Sequence, residues 1–255
     1  MSASTHAIGT KGGPSRVVGG TFMTRLKAYH EATRAPLGAA LTVLPLALIY
    51  GLGLLAAAPE ARSGVDVVSG FLLERFGVDG YVGVHLGIAA IVIGYACWYH
   101  RKAIGKHLLL TAPVILEATL YGLLIGSLIL QIMEEQHLLG PIMVPSELLD
   151  KVVVAAGAGL HEELLFRLLL MPGVAWLMIR GLAMPKPMAW GVAIVLSSLA
   201  FAGAHHLAGE PYTTFAFAYR SLAGVVFASL YLTRGFAVAA WTHAAYDLHV
   251  LCGMT

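Results

Sequence analysis

The sequence predicts an all-α, polytopic membrane helix bundle of about seven transmembrane helices, with the N-terminus cytoplasmic and the C-terminus outside. Three observations carry that prediction. Of the 255 residues, 58% are hydrophobic and only 12% charged, and the mean hydropathy is +0.78, whereas soluble domains are about 45–50% apolar and about 25% charged. The apolar residues fall in runs close to the ~20 residues that cross ~30 Å of hydrocarbon at ~1.5 Å per residue. Lysine and arginine collect in alternate connections, as they do on the cytoplasmic side of a membrane.

Taken in chain order, residues 1–35 form a basic segment. It carries Lys11, Arg16, Arg25, Lys27 and Arg34 against Glu31, with no short apolar core before a small-residue cleavage site, which argues against a cleaved signal peptide. Seven apolar stretches follow: Leu37–Ala58, Tyr81–Tyr99, Leu108–Met133, Val152–Ile179, Ala189–Ala208, Tyr212–Leu232 and Phe236–Met254. The connections "HRKAIGKH" (100–107), "RGLAMPKP" (180–187) and "TRG" (233–235) are basic, while 59–80 and 134–151 are acidic or balanced. Val65–Phe76 and Ser146–Lys151 read as short amphipathic helices at the outer interface. With no internal repeat and no long linker, 36–149 and 150–255 are read as parts of one membrane domain.

The formal net charge of +2 and the lack of a basic run interleaved with aromatics exclude nucleic acid as a partner. Cys97 and Cys252 lie in apolar stretches and read as small buried hydrophobes, not as a disulfide framework. The bilayer is the expected surrounding.

An ionisable group at the bilayer centre costs roughly 2.5–3.5 kcal/mol on insertion scales, so those inside the spans mark function or pair with one another. They are Glu117, His161, Glu162, Glu163, Arg167, His205, His206, Arg220, His243, Asp247 and His249. Glu163 and Arg167 are four apart on one helical face and offset each other's charge. Glu162 points ~100° away with no basic neighbour at helical spacing, which suits a general acid or base. His205 follows Phe201 by one turn, and adjacent His206 points elsewhere. His243 and Asp247 are again four apart, so the carboxylate can hold the imidazole's orientation. Glu117 and Arg220 form a second interhelical pair or line the same cavity. His161 and His249 have no partner at motif spacing and read as packing residues. Glu162 lies ten residues inside its span, ~15 Å from the outer end, and His205 lies near the outer end of its own, so the cavity is expected to open outward.

Several chemistries fail on spacing. A zincin needs His at position 165, which is Leu165. A GxSxG elbow is missing, Ser197, Ser198, Ser221 and Ser229 have no local base, and no phosphate loop is present.

What remains is EExxxR (Glu162, Glu163, Arg167), then FxxxH (Phe201, His205), then HxxxD (His243, Asp247), about forty residues apart on separate predicted spans. This order resembles the CAAX protease and bacteriocin-processing family of intramembrane proteases, the CPBP or Abi family, over roughly residues 150–250. The resemblance implies a glutamic-type endopeptidase acting on a membrane-embedded or membrane-anchored protein or peptide, in C-terminal processing or peptide maturation. By that resemblance Glu162 activates water, His205 and His243 hold it or donate to the oxyanion, and Glu163 with Arg167 fixes the helix. Asp247 stands where the family often has Asn, which would make His243 more basic. A metal-free mechanism is the preferred reading; zinc held by Glu162, His205 and His243 is the alternative. A non-catalytic immunity or binding protein of the same fold is the rival from another class. A proton-coupled transporter is a third, disfavoured by the lack of repeated halves. The Ala- and Gly-rich chain looks bacterial, which would place it in the plasma or inner membrane.

Overall fold

A computed structural model describes residues 22–99, 101, 104–135, 145–207 and 211–253. The basic segment before residue 22, part of the 100–107 connection, most of 136–151 up to residue 144, and the end of the last apolar stretch lie outside the described residues.

The described residues form nine α-helices, one π-helical segment and a 3-10 turn at Pro59–Ala61, joined by short connections: α1 (Phe22–Arg34), α2 (Pro36–Gly53), α3 (Val67–Tyr99), α4 (Ile104–Glu135), α5 (Leu148–Gly157), the π-helical segment Ala158–Leu170, α6 (Met171–Gly181), α7 (Lys186–Leu207), α8 (Thr214–Arg234) and α9 (Phe236–Gly253). Six helices are long and apolar enough to cross a membrane: Pro36–Gly53, Val67–Trp98, Leu109–Ile132, Leu148–Gly181, Lys186–Leu207 and Thr214–Arg234. The seventh predicted stretch is α9. It carries Thr242, His243, Asp247 and His249 and forms the centre of the bundle, where neighbouring helices shield those groups from lipid.

Breaks in the helices follow from local chemistry. Pro36 starts α2, since its missing N–H would have no helical partner there anyway. Thr213 caps α8 by accepting the Ala216 N–H at 3.1 Å. Gly235, at φ 89°, turns the chain directly into α9, a left-handed backbone only glycine adopts without strain. Gly77, at φ 65°, bends α3 and separates the predicted outer helix ending at Phe76 from the spanning part.

Two expectations change, and one segment gains a structure. Ser146–Lys151 is not a separate interfacial helix: Leu148–Gly157 runs on into the fourth span, and Lys151 is buried. Residues 22–34, the described part of the basic segment, form α1. Cys97 and Cys252 are both exposed, because an apolar run in a membrane bundle can face lipid as readily as the core.

The core gathers Ala39, Val43, Leu46 and Tyr50 of α2, Val114 of α4, Val153 and Ala156 of α5, and Ala237, Val238, Ala240 and Ala244 of α9. Small residues dominate because lipid gives no hydrophobic drive between helices, so close backbone approach has to supply the packing. A Cβ on Gly159 would meet the Ala240 carbonyl oxygen at 2.5 Å and Ala244 at 2.8 Å. Gly159→Val is therefore expected to push α9 off the π-helical segment, lowering stability by roughly 1–3 kcal/mol, the usual range for overpacking. Unfolding of the purified variant in mixed detergent checks this, and an unchanged midpoint would refute the contact.

One interhelical ion pair sits apart from the rest. Glu117 of α4 receives Arg234 Nε and Nη2 at 2.6 Å each and the Tyr29 hydroxyl at 2.7 Å. The expected partner, Arg220, is not the one used. Arg234 belongs to the "TRG" connection that the sequence places at the end of a span, and its long side chain reaches back into the bundle to tie α1, α4 and α8 together.

Candidate active site

The π-helical segment carries the opening motif. Its i→i+5 bonding places more than four residues in each turn, so successive side chains diverge by less than the ~100° of an α-helix. Glu162 and Glu163, expected to face different ways, both reach the bundle interior.

Glu163 Oε1 accepts from His243 Nδ1 at 2.8 Å, and its other oxygen lies 3.3 Å from Arg167 Nε. Arg167 also donates from Nη2 to the Gly224 carbonyl at 3.3 Å, and its guanidinium lies 4.3 Å from the Phe201 ring centroid. This is the buried layer: the side chains of Glu163 and Arg167 are 0% exposed and that of His243 is 2% exposed. A guanidinium in such a place needs a carboxylate, an acceptor and an aromatic face together, and it has all three.

The second layer is more open, with Glu162 at 12% and His205 at 23% side-chain exposure. Glu162 Oε2 stands 3.9 Å from His205 Nε2 and 3.9 Å from His243 Nε2. Both imidazoles have their tautomers set from behind. His205 Nδ1 donates to the Phe201 carbonyl at 2.9 Å, and His243 Nδ1 to Glu163, which leaves each Nε2 facing Glu162. The ring of His243 stacks on Phe227 at 4.3 Å and 16°. FxxxH spacing thus has a second purpose: Phe201 supplies the carbonyl for His205, a ring 5.7 Å from His243, and the platform under Arg167.

The structure therefore brings together Glu162, Glu163, Arg167, His205, His243 and Asp247, all the residues singled out as candidates. It also corrects their connections. The carboxylate orienting His243 is Glu163, through Nδ1; Asp247 faces Nε2, at 3.6 Å, on the same side as Glu162. An eighty-residue separation hides the Glu163–His243 bond from helical spacing. Arg220 lies on α8. His206 packs on Tyr212 and Phe217. The hydroxyls of Ser197, Ser198, Ser221 and Ser229 all donate to backbone carbonyls of their own helices, so none is poised as a nucleophile.

His161 and His249, read as packing residues, have partners. His249 Nε2 is 3.2 Å from Ser127 Oγ. His161 Nε2 is 3.7 Å from Asp66, and its ring lies 4.6 Å from that of Tyr50. Asp66 stands outside the predicted spans, where no spacing rule could connect it to the motif.

Among the described residues, no group of three or more His, Cys, Asp or Glu side chains is arranged to hold a metal ion. Chemically, the arrangement is a partly accessible carboxylate opposed by two imidazoles of fixed tautomer, backed by a dry ion pair.

Around this centre stand six helices long and apolar enough to cross a membrane. Residues 144–249 match the family model described as Type II CAAX prenyl endopeptidase Rce1-like, so this part of the chain is similar to the CAAX-type intramembrane proteases of the CPBP/Abi family. No curated protein and no solved structure matches the chain.

Proposed function

We propose that the protein is an intramembrane endopeptidase in which Glu162 activates a water molecule held against His205 and His243. The observation that supports this best is the convergence of both Nε2 atoms on one Glu162 oxygen, at 3.9 Å each. In the reaction, water loses a proton to Glu162 as its oxygen bonds to the scissile carbonyl carbon. As the C–N bond breaks, Glu162 returns that proton to the amine nitrogen. The imidazole edges stabilise the developing oxyanion, in a site dry enough for such contacts to count for several kcal/mol. Glu163 holds His243 in register, and Arg167 neutralises Glu163. Asp247, 3.6 Å from the same nitrogen of His243, sets a second carboxylate beside that edge of the ring.

The spacing supports water in preference to zinc. Two ligands of one tetrahedral zinc, each ~2.0–2.1 Å away, are about 3.3 Å apart. Two groups bonded to one water at ~2.8 Å are about 4–4.6 Å apart, closer to the separation seen here. Activity that survives exhaustive chelation is the expected result; loss restored by added zinc would overturn the metal-free reading.

The distribution of basic connections places the N-terminus inside, and Glu162 toward the outer half of the plasma or inner membrane. This supports, as substrate, a membrane-anchored protein or exported peptide cut near the outer face. Peptides released to the membrane and medium by cells making wild-type or Glu162→Gln protein, compared by mass spectrometry, test this. Cleavage products are expected only with the wild type, and identical peptide sets would sink the protease reading.

A further inference from the structure

The first apolar helices carry none of the three motifs, yet one buried cluster joins them to the catalytic segment. Asp66, in the turn before α3, is 3% exposed. Its carboxylate accepts the Tyr50 hydroxyl at 2.6 Å and the Ser69 N–H at 2.9 Å, the latter capping α3. Burial pushes this carboxyl up, but hydrogen bonds from Ser69 and Tyr50 and the charge of His161 outweigh it and hold the group below the usual carboxylate range. The Tyr50 hydroxyl in turn accepts the Ser63 N–H at 3.3 Å.

Capping alone does not account for what stands on the other side. His161 Nε2 faces Asp66 at 3.7 Å, while His161 Nδ1 donates to the Gly157 carbonyl at 3.2 Å. Gly157 is the last residue of α5, and the π-helical segment begins at Ala158. The carbonyl at this junction is where the bonding pattern must change from i→i+4 to i→i+5. His161 thus puts one nitrogen on the carbonyl at this junction and turns the other toward Asp66, which belongs to the turn before α3. Its immediate neighbour, Glu162, points the other way, into the site.

We propose that Asp66 and His161, backed by Tyr50, are positioning residues: they fix the start of the π-helical segment and thereby the direction in which Glu162 faces His205 and His243. The turn at 59–66 and α2 are then part of the catalytic apparatus although no motif marks them. This rests on the function proposed for Glu162, but its structural half can be read without any substrate.

The test uses the full chain in detergent, with His161→Leu, His161→Gln, Asp66→Asn and the Asp66→Asn/His161→Leu double variant. Hydrogen exchange of the amides of 158–163 is expected to rise roughly tenfold or more in His161→Leu, with the thermal midpoint near that of wild type. Turnover should fall roughly tenfold to a hundredfold with KM little changed, as for a catalytic group misplaced by a fraction of an ångström. His161→Gln, which keeps a donor for Gly157, should recover much of both. The double variant should be no worse than His161→Leu. Unchanged exchange in His161→Leu overturns the proposal, as does a double variant whose losses multiply. Asp66→Asn keeps the acceptor for Ser69 and so tests the pair even where His161→Leu folds poorly. An inactive Glu162→Gln beside unmoved exchange removes this inference alone; an active Glu162→Gln beside altered exchange removes the glutamate mechanism and leaves the coupling.

Discussion

Purified Glu162→Gln protein is expected to bind its substrate and fail to cut it. The amide keeps the size of the side chain and a hydrogen-bonding oxygen opposite His205 and His243, but it cannot take a proton from water. General-base catalysis contributes about 10²–10⁴-fold, so kcat should fall by about that factor while KM changes little. Little loss of stability should accompany this, because Glu162 Oε2 is buried without a hydrogen-bond partner among the described residues and the ion pair belongs to Glu163. Single-turnover kinetics on a cleavable membrane peptide, with thermal unfolding as control, make the measurement. Turnover within about threefold of wild type would remove Glu162 from the mechanism, since even the low end of the general-base range is larger.

The second large effect is on folding. Arg167→Met leaves the Glu163 carboxylate buried with His243 as its remaining partner and empties the acceptor contact at Gly224. Breaking a buried pair from one side costs about 3–5 kcal/mol, against a total stability of only about 5–15 kcal/mol. Much of the variant should therefore be unfolded or degraded in cells. Arg167→Lys should rescue poorly. An ammonium has neither the planar face that lies over Phe201 nor the fork that reaches Glu163 and Gly224 together. The double variant Glu163→Met/Arg167→Met should regain part of the lost stability, because no charge is then left unpaired, while remaining inactive because His243 has lost its orienting carboxylate. Unfolding midpoints in mixed detergent separate these cases. A double variant less stable than Arg167→Met alone would show that the pair does more than neutralise itself.

Legibility in the sequence differed sharply between residues. EExxxR, FxxxH and HxxxD are each set within one helix, and helical neighbours at i+4 are a local property that spacing reports directly. The three motifs therefore identified all six candidate residues that the structure brings together. What spacing mis-stated was which atoms meet. Glu163 was paired with Arg167 but not with His243, Asp247 was given the orienting contact that Glu163 makes at Nδ1, and Glu117 was offered Arg220 when Arg234 holds it. Each of these contacts joins two helices, and which helices touch depends on packing that no single stretch encodes.

The sequence by itself determined a membrane-spanning helical bundle, because hydropathy and segment length follow from the solvent each residue needs, one segment at a time. It also determined most of the ionisable side chains that stand inside that bundle, though not Asp66, Lys151 or Arg234, which lie in or beside its connections. Only the tertiary structure decided that α9, the least apolar of the predicted spans, lies at the centre, that a π-helical stretch turns Glu162 and Glu163 inward together, and that Asp66 reaches His161. The reason is physical: a charge in lipid announces itself by its cost, but its partner is chosen by the approach of backbones at glycines and alanines such as Gly159 and Ala240, and that approach exists only once the helices have assembled.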